Sequence, residues 1–204
     1  MVVKNIILEM LPSIWPMLLF VSVVAITLRV AYLIKGNRKF VLYKELFSLV
    51  FILYILCLYY ILTYRDSGGG INLIPFKEIF RYEIGSYKFI KNIVGNILLF
   101  LPFGFFTSYY LNTTKVSPPL VISLIVSLCA EGMQYYLGRV FDIDDLILNV
   151  IGGFCGYLLF VMLNAVRGKL PGFMKSDGFL NFLVIIIVIL IVLYSMGINI
   201  LSLF

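Results

Sequence analysis

Four acidic residues, Glu131, Asp142, Asp144 and Asp145, stand around a single arginine, Arg139, in a stretch of chain that is otherwise mostly apolar. Carboxylates and a guanidinium so placed can form ion pairs and directional hydrogen bonds, hold a divalent cation through oxygen, or exchange a proton. Ser123, Ser127, Glu131 and Gln134 recur at i, i+4, i+8 and i+11, which puts them on one face of a helix. Asp145, Asn149, Gly152 and Gly156 form a second such stripe, with Asp142 nearly one turn earlier, and Asn92 and Asn96 a third, with Pro102 and Gly104 further along. The chain has no histidine, which removes Ser-His-Asp and Cys-His catalysis, the usual zinc sites and any histidine proton relay. Cys57, Cys129 and Cys155 each lie inside an apolar run without metal-ligand spacing and read as small buried hydrophobes. No catalytic residue, metal ligand or cofactor is therefore expected.

The elements that must position these residues are set by the solvent. Of 204 residues, 62% are hydrophobic and 13% charged, against about 25% charged in an average soluble domain. So few charges cannot cover the surface of a water-soluble globule of this size, and lipid is the expected surrounding. Spanning a bilayer takes about 20 apolar residues. Six runs qualify: Pro16 to Ile34, Glu45 to Tyr64, Ile93 to Leu111, Pro118 to Leu137, Leu146 to Val166 and Phe179 to Leu201. The expected fold is an all-α integral membrane protein, one membrane domain over residues 1–204 built as a bundle of about six transmembrane helices. The first run is too long for a cleaved leader and no small-x-small site follows it, so it is expected to stay as a span. The connection from Arg65 to Asn92 is long. It holds an expected hinge at Gly68-Gly69-Gly70, a short apolar piece from Asn72 to Phe76, and Lys77, Glu78, Arg81 and Glu83 as one turn of a polar helix face. An interfacial or re-entrant segment between the second and third spans is expected there.

Net charge is +6, but the cations flank apolar runs rather than forming a solvated stripe, which argues against nucleic acid and for lipid headgroups as the partner. Lys35, Arg38, Lys39, Lys44, Arg167, Lys169 and Lys175 fall in the first and fifth connections, which places those loops in the cytoplasm and both termini outside. Arg65, Lys77, Arg81, Lys88 and Lys91 in the second connection oppose that assignment. Tyr59, Tyr60, Tyr64, Tyr109, Tyr110, Tyr135 and Tyr136 near span ends suit an interfacial aromatic belt. The number of subunits is not readable from the sequence; Gly152 and Gly156 suit close helix approach either within a chain or between two.

Simple alternation of the spans brings Asn96, Glu131, Gln134, Asp145 and Asn149 to one membrane face, outside in this orientation. Arg139 and Asp142 then lie in the turn just above them. A carboxylate in hydrocarbon costs a few kcal/mol on insertion scales, so these acids are expected to converge on a hydrated groove, with Arg139 pairing at least one of them. Asp142 and Asp144 also suit the N-terminus of the fifth helix as capping anions.

The ordered series Asn96-Ile-Leu-Leu-Phe-Leu-Pro-Phe-Gly104, Glu131-Gly-Met-Gln134, Arg139-Val-Phe-Asp-Ile-Asp-Asp145, Asn149, Gly152-Gly153 and Gly156-Tyr157 resembles the VanZ-like proteins, as does the loop Asn72-Leu-Ile-Pro-Phe76. The resemblance covers residues 72–160; Val150 departs from it where a small polar residue would be expected. It implies a cell-envelope membrane protein connected with reduced susceptibility to teicoplanin and related lipoglycopeptide antibiotics, and a ligand-binding set of Asn96, Glu131, Gln134, Arg139, Asp142, Asp145 and Asn149. The expected ligand is a lipid-linked or peptidoglycan-type cell-wall precursor, or the glycopeptide antibiotic itself. Two other readings stay open. One is a Mg-dependent membrane enzyme acting on a polyprenyl-diphosphate-type lipid; the other is a transporter or flippase.

Overall fold

The structure, a computed structural model, describes residues 2–36, 39–63 and 69–195. The described residues are mostly helical, as the bilayer-length apolar runs predict. The helices are α1 (Val2–Lys35), α2 (Leu42–Thr63), α3 (Tyr87–Leu111), α4 (Ser117–Tyr136), α5 (Ile143–Lys169) and α6 (Asp177–Ser195). Five of them, with Ile14–Lys35 as the apolar part of α1, are long and apolar enough to cross a membrane; α6 is apolar but shorter over its described residues. The chain is an all-α integral membrane protein. Arg38, Tyr64, Arg65, Gly68 and Leu201, which figure in the expectations above, lie outside the described residues.

Helix ends follow local chemistry. α3 begins at Tyr87 rather than Ile93, because Ser86 acts as its N-cap: the Ser86 hydroxyl accepts the Phe89 N–H at 3.2 Å. Its turn from Ile90 to Val94 is π-helical, with the Gly95 N–H donating to the Ile90 carbonyl. α3 stops at Asn112, which adopts the left-handed conformation (φ 46°). α4 opens with proline in its first turn, where the missing N–H costs nothing.

Two compact units emerge, residues 1–56 with 169–204, and residues 57–168. In the first, Arg29 of α1 grips Glu45 of α2 with two hydrogen bonds of 2.6 and 3.1 Å. At the start of α2, the Tyr43 N–H donates to Asn181 Oδ1 at 3.0 Å, the Tyr43 hydroxyl donates to Asp177 at 3.0 Å, and Lys44 pairs with Asp177 at 3.4 Å.

In the second unit, α3 and α5 meet along a seam of small residues. A Cβ on Gly152 would overlap the Ile97 carbonyl, one on Gly156 the Leu101 carbonyl, and one on Gly104 the carbonyl of Gly153. The Gly152–Gly156 pair thus serves packing inside the chain, bringing two backbones into direct contact. Phe100, Phe103, Phe106, Leu148 and Phe160 are buried about this seam, and Phe105 meets Phe160 edge-on at 6.2 Å.

The connection after α2 is ordered differently from expectation. Gly70 is no hinge: Gly70–Asn72 form a strand, β1, paired in parallel with β2 (Val140–Asp142), in the register Gly70↔Val140, Ile71↔Phe141 and Asn72↔Asp142. The turn expected over Lys77 to Glu83 is a run of tight turns and a short 3-10 helix at Ile79–Arg81, with Arg81 paired to Glu78 at 3.1 Å. Ile71, Leu73, Ile74, Phe76, Phe80 and Ile84 are exposed along this segment.

Candidate functional site

The parallel strand pair gathers one end of the second unit. The end of α2, the start of α3, the end of α4 and the start of α5 all arrive there, and the sequence-predicted polar residues arrive with them. Glu131 is 1% exposed; its Oε2 accepts the backbone N–H of Asp142 at 3.1 Å, joining α4 to β2. Asp142 Oδ1 accepts from the Asn72 side-chain amide at 3.1 Å and from the Asp144 N–H at 2.9 Å. The second bond satisfies one of the orphan N–H groups at the start of α5. Burial pushes the Asp142 carboxyl above the usual aspartate range, these two hydrogen bonds oppose the shift, and the nearby charges of Asp144 and Glu78 add to it.

Asp144 is also 1% exposed, and both of its oxygens are engaged. One accepts the Phe76 N–H; the other accepts from the amides of Glu78 at 2.7 Å and Ile79 at 3.2 Å. Phe76 holds a left-handed φ of 67°, a conformation that costs a bulky residue energy unless its surroundings fix it. Asp144 is that fixture. The neighbouring Asp145 turns to a different partner and accepts from the Asn96 amide of α3.

Arg139 is the main departure from expectation. It makes no ion pair with the acids of the cluster. Its NH1 donates to the Leu62 carbonyl at 2.9 Å, and Gln134 Nε2 donates to the same oxygen at 3.1 Å. Leu62 lies in the last turn of α2, where carbonyls lack intrahelical donors. That need draws both side chains. The Glu131 and Asp142 carboxylates already have backbone amides as partners. Arg139 still interacts through space with Glu131 and Asp145.

Asn149 lies one turn deeper than Asp145 along α5. It is 2% exposed, and its Nδ2 donates to Ser127 Oγ of α4 at 3.0 Å. Among the described residues three buried side-chain polar atoms have no hydrogen-bond partner: Ser123 Oγ, Gln134 Oε1 and Asn149 Oδ1. Among the described residues no three His, Cys, Asp or Glu side chains have the geometry to share a metal ion; the acids of the Asp142–Asp145 run each turn to a different partner.

All seven residues of the expected binding set are thus at or just below one end of this unit. Sequence reasoning did not anticipate the Leu62 carbonyl or the amides of the 76–79 loop as partners. The Asn72-Leu-Ile-Pro-Phe76 motif was the one signal pointing to that loop.

Residues 51–164 match the VanZ/LLP1 family, a span that contains every residue placed in this cluster. Over 126 residues the chain is 26% identical to Protein VanZ of Enterococcus faecium, covering 61% of this chain and 71% of that protein. No solved structure matches.

Proposed function

The chain belongs to the VanZ/LLP1 family, and from that premise we propose that it acts in the bacterial cytoplasmic membrane to lower susceptibility to teicoplanin and related lipoglycopeptides. The polar end of the second unit faces outward and binds the polar part of a cell-envelope ligand, either a lipid-linked or peptidoglycan-type precursor or the antibiotic itself. The binding set is Asn96, Glu131, Gln134, Arg139, Asp142, Asp145 and Asn149.

One observation supports this reading above the others. Gln134 Oε1 and Asn149 Oδ1 are buried without a partner in the very helices that carry Glu131 and Asp145. A buried acceptor left unsatisfied costs about 1–3 kcal/mol, and a ligand or water bringing donor groups recovers that cost. Arg139 supplies charge at the same end, with only one of its N–H groups engaged by the Leu62 carbonyl.

The test is antibiotic susceptibility in a sensitised host expressing the parent chain, Glu131→Gln or Arg139→Ala at equal membrane abundance. The parent is expected to protect against teicoplanin and both variants to lose that protection. Equal protection by all three would remove the cluster from the function. Orientation is tested separately on a chain in which Cys57, Cys129 and Cys155 are replaced and a cysteine is placed at Gly69 or Arg38. An impermeant maleimide applied to intact cells is expected to label position 69 and spare position 38; the reverse pattern would turn the polar end inward.

A further inference from the structure

The segment between β1 and α3 borders an open cavity of about 580 Å³ whose lining includes three cations, Arg81, Lys88 and Lys91. Glu83 is the acid among the lining residues and Glu78, outside the lining, pairs with Arg81 at 3.1 Å, so three cations against two acids still leave a net positive charge. Hydrogen-bonding groups line the cavity together with the cations. The Ser86 hydroxyl accepts the Phe89 N–H and keeps its own hydrogen to donate, and the Asn92 amide belongs to the π-helical turn of α3. Lys91 Nζ lies 5.8 Å from the centre of the Tyr87 ring, a cation–π contact between two lining residues.

Position fixes what such a cavity meets. α3 has 25 residues, about 37 Å of helix, whereas the hydrocarbon core is about 30 Å thick. The excess of about 7 Å belongs at the end bearing Lys88 and Lys91, because ammonium groups are costly in hydrocarbon, and this sets the first turns in the headgroup layer. Beside the charged rim, Phe80 and Ile84 are 82% and 90% exposed and Ile90 is 50% exposed. Cations next to bare apolar side chains, at headgroup depth, match an amphiphile with an anionic head and a hydrocarbon tail.

We propose that this cavity is a binding site for the phosphate of an anionic membrane lipid, held by Arg81, Lys88 and Lys91, with the lipid tail against Phe80, Ile84 and Ile90. None of the seven residues of the polar cluster lines it, so the site goes beyond the function proposed above and stands if that function is wrong. Because the readout is lipid binding rather than resistance, the two can fail separately.

The experiment is a titration of the purified full-length chain in neutral detergent with phosphatidylglycerol, phosphatidylcholine or inorganic phosphate, counting retained molecules by native mass spectrometry. Phosphatidylglycerol is expected to bind preferentially. Each of Arg81→Gln, Lys88→Gln and Lys91→Gln is expected to weaken it about fivefold, the worth of one basic residue near an anionic surface. Lys88→Arg and the distant Lys115→Gln are expected to leave it unchanged. Glu83→Gln is expected to tighten binding, a gain that misfolding cannot produce. If Arg81→Gln, which also loses the pairing with Glu78, does not fold, the exposed single variant Lys88→Gln carries the comparison. Parent-like binding by the glutamine variants, or equal loss in Lys115→Gln, overturns the site. Inorganic phosphate binding as tightly as phosphatidylglycerol overturns the lipid assignment in favour of a soluble anion.

Discussion

The Glu131 carboxylate accepts the backbone N–H of Asp142 at 3.1 Å, so a side chain near the end of α4 holds the strand that leads into α5. An acid inside a membrane-crossing helix is costly, and here part of its hydrogen-bonding need is met by backbone rather than by a cation.

A glutamine at position 131 keeps an acceptor for that amide; a leucine does not. Glu131→Gln is expected to stay within about 1 kcal/mol of the parent, whereas Glu131→Leu loses about 1–3 kcal/mol by orphaning the Asp142 N–H. Thermal unfolding in detergent, followed by circular dichroism, measures both. Equal midpoints for the two variants would mean that the hydrogen bond carries no stability.

The glycine seam gives a contrast within one residue type. Gly104→Ala drives a methyl group into the Gly153 carbonyl, while Gly132 has nothing within 4 Å of an added Cβ. Gly104→Ala should cost about 1–3 kcal/mol, the usual range for overpacking. Gly132→Ala should be neutral or stabilising by up to about 1 kcal/mol through helix propensity. Protease resistance of detergent-solubilised protein ranks the two, and a tolerant Gly104 would deny the close α3–α5 approach.

Asp144 organises the 76–79 loop through three amides. Asp144→Ala leaves those donors without their acceptor, at about 1.5–3 kcal/mol for a hydrogen bond to a charged group. Hydrogen exchange should accelerate at Phe76, Glu78 and Ile79 while amides in the middle of α3 keep their protection. Unchanged exchange at those three positions contradicts the assignment.

Asp142 makes a pH prediction. Its carboxyl is raised in the folded chain, first of all by burial. Between the unfolded value near 3.9 and the higher folded value, the native state binds more proton than the unfolded one. Stability from this group is therefore greatest on the acid side and falls as pH rises through that window. Asparagine keeps an acceptor for Asn72 and the Asp144 amide without titrating. Asp142→Asn should gain on the parent as pH is raised from about 4 to about 7, measured as the difference in denaturation midpoint. A constant difference across that range would sink the claim.

Much of this architecture was legible in the amino-acid order. Apolar runs of bilayer length located the six long helices of the described residues, and alternation alone brought the ends of α2 and α4 to the side where α3 and α5 begin. Which atoms would bond was not legible. Arg139 was expected to meet a carboxylate; instead a helix-end carbonyl at Leu62 claims it, and backbone groups leave no mark in a pattern of side chains. Asp144 and Asp145 are adjacent and chemically identical, yet the first serves a loop and the second meets α3. That choice depends on which face of α5 each occupies once neighbours have packed. β1 and β2 have three residues each, too few for an alternating pattern to stand out.

The pairing of Ile71 with Phe141 also constrains the order of assembly. Two membrane-crossing helices, α3 and α4, are strung between these strands, so the earlier strand must wait while both are threaded into the bilayer before its mate exists. Closing so long a loop comes late and slowly. Until then the 76–79 turn lacks Asp144 and the end of α2 lacks Arg139. A chain cut short after α4 would reach the membrane with its helices in place and this end unlatched.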